Sequence, residues 1–301
     1  MLYEKSVDDK ERLIMGKIRL QGHEKFPLRD GWLTKGLEIL DSIELSRVFN
    51  RDNAPDVFGI GSNMVKALRY WMKAFCLVDE IQGKGMKLSN IGALIKQYDL
   101  YIEDDFTLWI LHSSIAKNVD EATTWYMFFN RCDLIEFNKE NMFNVLKREI
   151  DSYSEYAKYS EKSLHTDIDV LLSMYSKDKE MVDPEDKNIS PFVQLGLVKH
   201  SNAIYTKNPP NKNHINGWVV LYELAERLTE RKDISIEEVS HDEMGLSRLY
   251  NMTDMEINGY LDRLNEKGKI RVDRTAGLDM IYKTEEITSE MVVKKYYESH
   301  R

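Results

Sequence analysis

The stretch "GHEKFPLRDGWLTKG", residues 22–36, brings His23, Glu24, Arg29, Asp30 and Lys35 close together along the chain. Such side chains could act on a phosphodiester. His23, Glu24 and Asp30 could bind a divalent metal or activate water, while Arg29 and Lys35 could hold phosphate oxygens. For a nuclease the expected cofactor is Mg²⁺ or Mn²⁺, with no further metal ligands identifiable. The spacing argues against this reading, because His23-Glu24 runs into Lys25-Phe26 rather than into an HExxH pattern, and Pro27 interrupts any continuous helix. On spacing alone the expected role is structural. His23 and Glu24 would cap or pair with backbone groups, Arg29 would meet an acid, and Phe26, Leu28 and Trp32 would enter the core.

A second set of candidates starts at Ser62. In "GSNMVKALRYWMKAF", Asn63, Lys66, Arg69, Tyr70 and Lys73 recur at helical spacing opposite Met64, Leu68, Trp71, Met72 and Phe75. Asn and Arg can reach base edges, and Lys and Tyr can hold phosphates. Ser62 is placed to cap this helix, and Lys84 and Lys87 extend the site onto a following hairpin. The whole chain carries a formal net charge of −9, the wrong sign for coating nucleic acid over its entire surface. Between Gly61 and Leu100, however, six basic residues face three acidic ones, so this segment is locally positive. An ordinary solvated helix face is the competing explanation.

Other polar clusters read as structural. Glu103, Asp104 and Asp105 in "IEDDFTLW" could hold Mg²⁺, but acids ahead of a helix commonly cap it. The aromatic stripe "TTWYMFFN" could stack bases, though on a mid-domain helix it is expected in the core. The two cysteines, Cys76 and Cys132, form no CxxC pair and are expected as reduced core residues. There is no phosphate-loop lysine motif, GxGxxG fingerprint, GxSxG elbow or zinc spacing.

The elements that must position these residues are mostly helical. Apolar content of 42% supports substantial cores, and a length of 301 residues suggests two or three domains. Helix, hairpin around Gly83 to Gly85, and helix from Ser89 outline a winged helix-turn-helix. A second copy follows near the C-terminus: Thr253 and Glu256 stand in capping-box spacing, Gly268 closes the helix, and two strands flank Ala276-Gly277. Its helix exposes Asn258, Asp262, Arg263 and Glu266, which suits protein packing better than a duplex, while Arg271 and Arg274 could touch a phosphate. Asp105, Asp120 and Asn138 are expected helix starts in the region between. The expected fold class is mainly α with small β-wings (α+β): two winged helix-turn-helix-like domains, 1–100 and 209–301, flank a helical middle domain, 101–208. With no signal segment or long apolar run in the sequence, a cytoplasmic protein is expected, with no membrane partner. Paired winged helices also suggest a homodimer.

The series "GHEKFPLRDGWLTKG", "FGIGSNMVKALRYWMKAFCLV", "LYIEDDFTLWILHSSIA", "TTWYMFFN", "DIDVLLSMY", "QLGLV" and "RTAGLDMI" resembles, in this order, one bacterial family. It is a domain-of-unknown-function family that includes SspB, a component of single-stranded DNA phosphorothioation systems. The similarity spans roughly residues 20–285. It implies a part in DNA modification and phage defence, with double-stranded DNA, a sulfurtransferase and an ATPase as partners, and DNA nicking before sulfur incorporation. No catalytic residue is carried over. Cys76 stands where a Gly is common, and "ISPFVQLGLV" lacks a Cys-Pro pair, which puts a metal or sulfur role for that loop in doubt. A non-enzymatic adaptor that recognises DNA and docks a partner is the rival reading.

Overall fold

The computed structural model describes residues 17–40, 47–82, 85–154, 158–176, 189–211, 214–277 and 279–300. Apolar residues at three-to-four spacing become helices along most of this length. The first third holds α1 (Trp32–Ile39), α2 (Ala54–Phe58), α3 (Ser62–Ala74), the hairpin β1 (Val78–Ile81) and β2 (Gly85–Leu88), and α4 (Asn90–Tyr98). The middle third holds α5 (Asp105–Lys117), α6 (Thr123–Tyr126), β3 (Glu136–Phe137), α7 (Lys139–Tyr153), α8 (Glu161–Tyr175), β4 (Val198–Ser201) and β5 (Ile204–Lys207). The last third runs α9 (Gly217–Leu228), β6 (Asp233–Ser235), α10 (Ile236–His241), α11 (Leu246–Tyr250), α12 (Asp254–Glu266), β7 (Ile270–Asp273), β8 (Met280–Lys283) and α13 (Ser289–Ser299).

The class is therefore α+β, with helices around small antiparallel sheets ordered β1-β2, β3-β5-β4 and β6-β8-β7. The middle region, expected to be helical, contains the second of these sheets. Its strands are only two and four residues long, too short for alternation to register in the sequence.

Local signals account for several helix starts. Ser89 accepts from the Gly92 N–H, and Asn138 accepts from the Asn141 N–H. Thr253 and Glu256 make both bonds of a capping box. Two expectations fail. Ser62 is the first helical residue rather than the cap of α3, since Gly61 takes the extended cap position and offers no side chain. Asp120 does not start α6, whose cap position is Ala122.

Helix α5 is buried on nearly every side, through Phe106, Leu108, Trp109, Leu111 and Ile115, as expected of a central helix. One apolar cluster runs around it from Leu28 to Tyr297. Helix α13 closes this core against the first third of the chain. Tyr297 stacks on Tyr98 at 5.2 Å between ring centroids, and its hydroxyl lies 2.5 Å from Thr107 Oγ1. Tyr296 donates to Asp104 at 2.8 Å. Close backbone approach needs Gly92, because a Cβ there would sit 2.2 Å from the Leu77 carbonyl oxygen. Cys76, expected in the core, is exposed and takes φ +53°, a left-handed conformation that favours glycine; this explains why a Gly suits the position. Cys132 is buried.

Candidate functional site

His23 turns inward. Its side chain is 0% exposed and stacks on Trp71, with ring centroids 5.8 Å apart and planes 12° from parallel. The Lys25 N–H donates to Nδ1 at 3.1 Å, so the ring proton is on Nε2, which donates to Asp167 at 2.9 Å. Asp167 sits on α8 and is itself buried. It also accepts from the Gln21 N–H at 2.7 Å and from Thr124 Oγ1 at 2.8 Å. Both imidazole nitrogens are therefore committed, and a buried carboxylate ties the segment before α1 to α6 and α8. Gly22 makes the fit possible, since a Cβ there would lie 2.4 Å from the Tyr70 ring.

The rest of the motif spreads apart. Glu24 is exposed, with φ +50°. Arg29 lies over the rings of Phe26 and Trp32, at 6.0 and 5.7 Å from their centroids. Lys35 donates to the Phe58 carbonyl at 3.1 Å. Asp30 is exposed and lines a surface groove of about 540 Å³ with Glu103, Ser190 and Gln194. His23, Glu24 and Asp30 do not converge, and among the described residues no group of three or more His, Cys, Asp or Glu side chains is arranged to hold a metal ion. Of the Glu103 to Asp105 acids, Asp104 caps α5 by accepting from the Phe106 N–H at 2.8 Å, and Asp105 pairs with the His214 side chain at 2.7 Å.

Helix α3 presents the second set. Ser62, Asn63 and Lys66 are exposed at its N-terminal end, with Lys66 Nζ 3.4 Å from Asn63 Oδ1. Arg69, one turn on, donates to Asn50 at 2.9 Å and lies 3.7 Å from Glu80 on β1. Lys73 bridges two carboxylates, Glu80 at 3.1 Å and Glu121 at 2.7 Å, and Arg19 pairs with Glu121 at 2.6 Å. The Lys73 ammonium holds the Glu80 carboxyl below the usual range. Lys87 faces Asp79 across the hairpin at 3.9 Å, and Lys84 lies outside the described residues.

Tyr70 does not share the solvent face. It is buried against Gly22, His23 and Trp71, and burial pushes its hydroxyl well above the ordinary range. The segment around Gly22 docks on α3 and covers a ring that the helix pattern alone leaves outside. Asp167 was missed altogether. Its one signal was an acid on the face of α8 that also carries Leu164, Ile168 and Leu171.

No helix among the described residues is long and apolar enough to cross a membrane. No curated protein matches the chain. Two solved structures are similar to it. One, described as an SspB crystal structure, aligns with a TM-score of 0.82 at 21% identity, over 95% of this chain and 90% of that one. The other, a magnesium ion-bound SspB crystal structure, aligns with a TM-score of 0.80 at 21% identity, over 93% and 88%. At that identity the likeness speaks for the fold alone. A family model described as a protein of unknown function, DUF4007, matches residues 20–297, and the chain belongs to that family.

Proposed function

We propose that this protein is a DNA-binding component of a DNA phosphorothioation or phage-defence system. It would contact double-stranded DNA through Ser62, Asn63, Lys66, Arg69, Lys73 and Lys87, with Tyr70 packing α3 from beneath. The observation that carries this reading is the exposed Lys66 with the half-buried Arg69 one turn on along α3, a local excess of cations in a chain of net charge −9. The element order supports it. Helix α2, a short turn with Gly59 at φ +63°, helix α3 and the β1-β2 hairpin follow the order of a winged helix-turn-helix. The C-terminal elements repeat that order, with β8 central in the sheet. The division at about residues 100 and 208, a homodimer, and docking of sulfurtransferase and ATPase components are parts of the same proposal.

Replacing Lys66 and Arg69 with Ala together should weaken duplex binding. Each lost phosphate contact should also flatten the log–log salt dependence by about 0.9. Binding equal to wild type across salt concentrations would refute the site.

The adaptor reading gains from one observation: the hydrogen bonds that commit His23 to Lys25 and Asp167 leave it no lone pair for a metal and no free role as a base. The nickase reading requires purified protein to nick supercoiled plasmid with Mg²⁺ or Mn²⁺. Failure to nick over a range of salt concentrations would leave the adaptor.

A further inference from the structure

The cations of α3 are not equally available to a ligand. Lys66 is fully on the surface, but Arg69 and Lys73 share the Glu80 carboxylate, at 3.7 and 3.1 Å. A second carboxylate, Glu121, lies beneath and holds Lys73 and Arg19 at 2.7 and 2.6 Å. The two acids differ in exposure: the Glu121 side chain is 14% exposed, that of Glu80 is 55%. Glu121 is thus part of the packing, joining the residue-19 segment, α3 and the start of α6. Glu80 sits exposed on β1, beside its partner cations.

A carboxylate oxygen about 3 Å from a lysine ammonium occupies the place that a phosphate oxygen takes in a charge-assisted contact. Glu80 therefore competes with any nucleic-acid phosphate for Arg69 and Lys73. Resting on the DNA-binding reading above, we infer that Glu80 is an electrostatic latch: it neutralises Arg69 and Lys73 in the free protein, and a backbone phosphate must displace it to complete the contact. Binding is then an exchange of one anion for another rather than simple capture. Lys66 makes the first, non-exchanging contact, and Lys87, 3.9 Å from Asp79, adds a weakly held second one. The latch holds affinity below what the cation count implies, so that a loosely placed duplex, which reaches only Lys66 and Lys87, is released.

The magnitude follows from counterion release. One additional phosphate contact at 0.1 M salt is worth roughly tenfold in affinity, with a slope change of about −0.9. Glu80→Gln keeps the size and a hydrogen-bond acceptor but removes the charge, at an exposed position where folding is not at stake. Its control is Asp56→Asn, an equal charge change at an exposed site on α2. The measurement is fluorescence anisotropy of a labelled 30-base-pair duplex with the full chain, from about 50 to 200 mM salt, with circular dichroism to verify the fold.

The latch requires Glu80→Gln to tighten binding about tenfold at 0.1 M salt and to steepen the salt slope by about one, with a clearly smaller effect for Asp56→Asn. If Glu80→Gln only matches Asp56→Asn, or changes nothing, while the Lys66 and Arg69 double variant still weakens binding, the latch is refuted and the DNA-binding site stands. If the double variant has no effect either, the DNA-binding reading fails and takes the latch with it.

Discussion

Replacing Asp167 with Ala tests whether the His23 motif is architecture or chemistry. The substitution removes the acceptor for three donors. The Thr124 hydroxyl can rotate to another acceptor, but the Gln21 N–H and the His23 Nε2–H are fixed. An orphaned buried donor costs about 1–3 kcal/mol, so two cost about 2–6 kcal/mol, partly offset because a buried charge is also removed. A net loss of about 3 kcal/mol is expected, which for a chain of 301 residues lowers Tm by roughly 5 °C. Asp167→Asn should cost only about 1 kcal/mol, since its oxygen can still accept from Gln21 and His23 while its amide donates to Thr124. Thermal unfolding followed by circular dichroism at pH 7 distinguishes the three proteins. The reasoning is refuted if Asp167→Ala leaves Tm within about 2 °C of wild type, or if Asn destabilises as much as Ala. Should DNA nicking vanish in a fully stable Asp167→Ala protein, the pair has a chemical role that the packing does not reveal.

His112 makes a pH prediction: wholly buried, it donates from Nε2 to the Leu249 carbonyl and accepts at Nδ1 from the Tyr175 hydroxyl, and burial pulls its pKa down to about 4. The unfolded chain binds a proton below about pH 6.5 that the native ring refuses, so stability falls as pH drops, by about 2–3 kcal/mol at pH 4.5; urea titrations should show this loss, and His112→Gln should flatten it. Gly92→Ala should destabilise by several kcal/mol because the Leu77 carbonyl cannot yield. Gly259→Ala, in helix α12 and with Arg263 Nη1 3.5 Å away as its only near neighbour, should instead stabilise by about 0.5–1 kcal/mol in the same denaturation assay. Thr253→Ala should cost about 1 kcal/mol by removing the capping box of α12, measured as a Tm shift.

What the sequence made legible is what neighbours along the chain decide. Thr253 with Glu256, Ser89 with Gly92, and the two hairpins are local arrangements, and each appears where its residues announce it. The His23 to Asp167 bond spans 144 positions, and no periodicity links its ends. Tyr70 fell on the wrong face for a related reason: α3 buries more than one stripe, because the segment containing Gly22 packs over it. The motif's pattern was still informative in one respect. Its failure to match a metal-ligand spacing agrees with a histidine whose two nitrogens are already bonded within the fold.

The position of α13 also governs when the molecule can fold. Tyr296 and Tyr297 seal α4 and α5 with side chains that leave the ribosome roughly 190 residues after the residues they cover, Asp104 and Thr107. Tyr98 and Thr107 thus wait through roughly 190 further positions with an unfinished apolar wall, and α13 is the piece that completes it. Such long-range closure slows folding and lengthens exposure to aggregation. Removing α13 is therefore expected to cost soluble yield more than it alters the exposed end of α3.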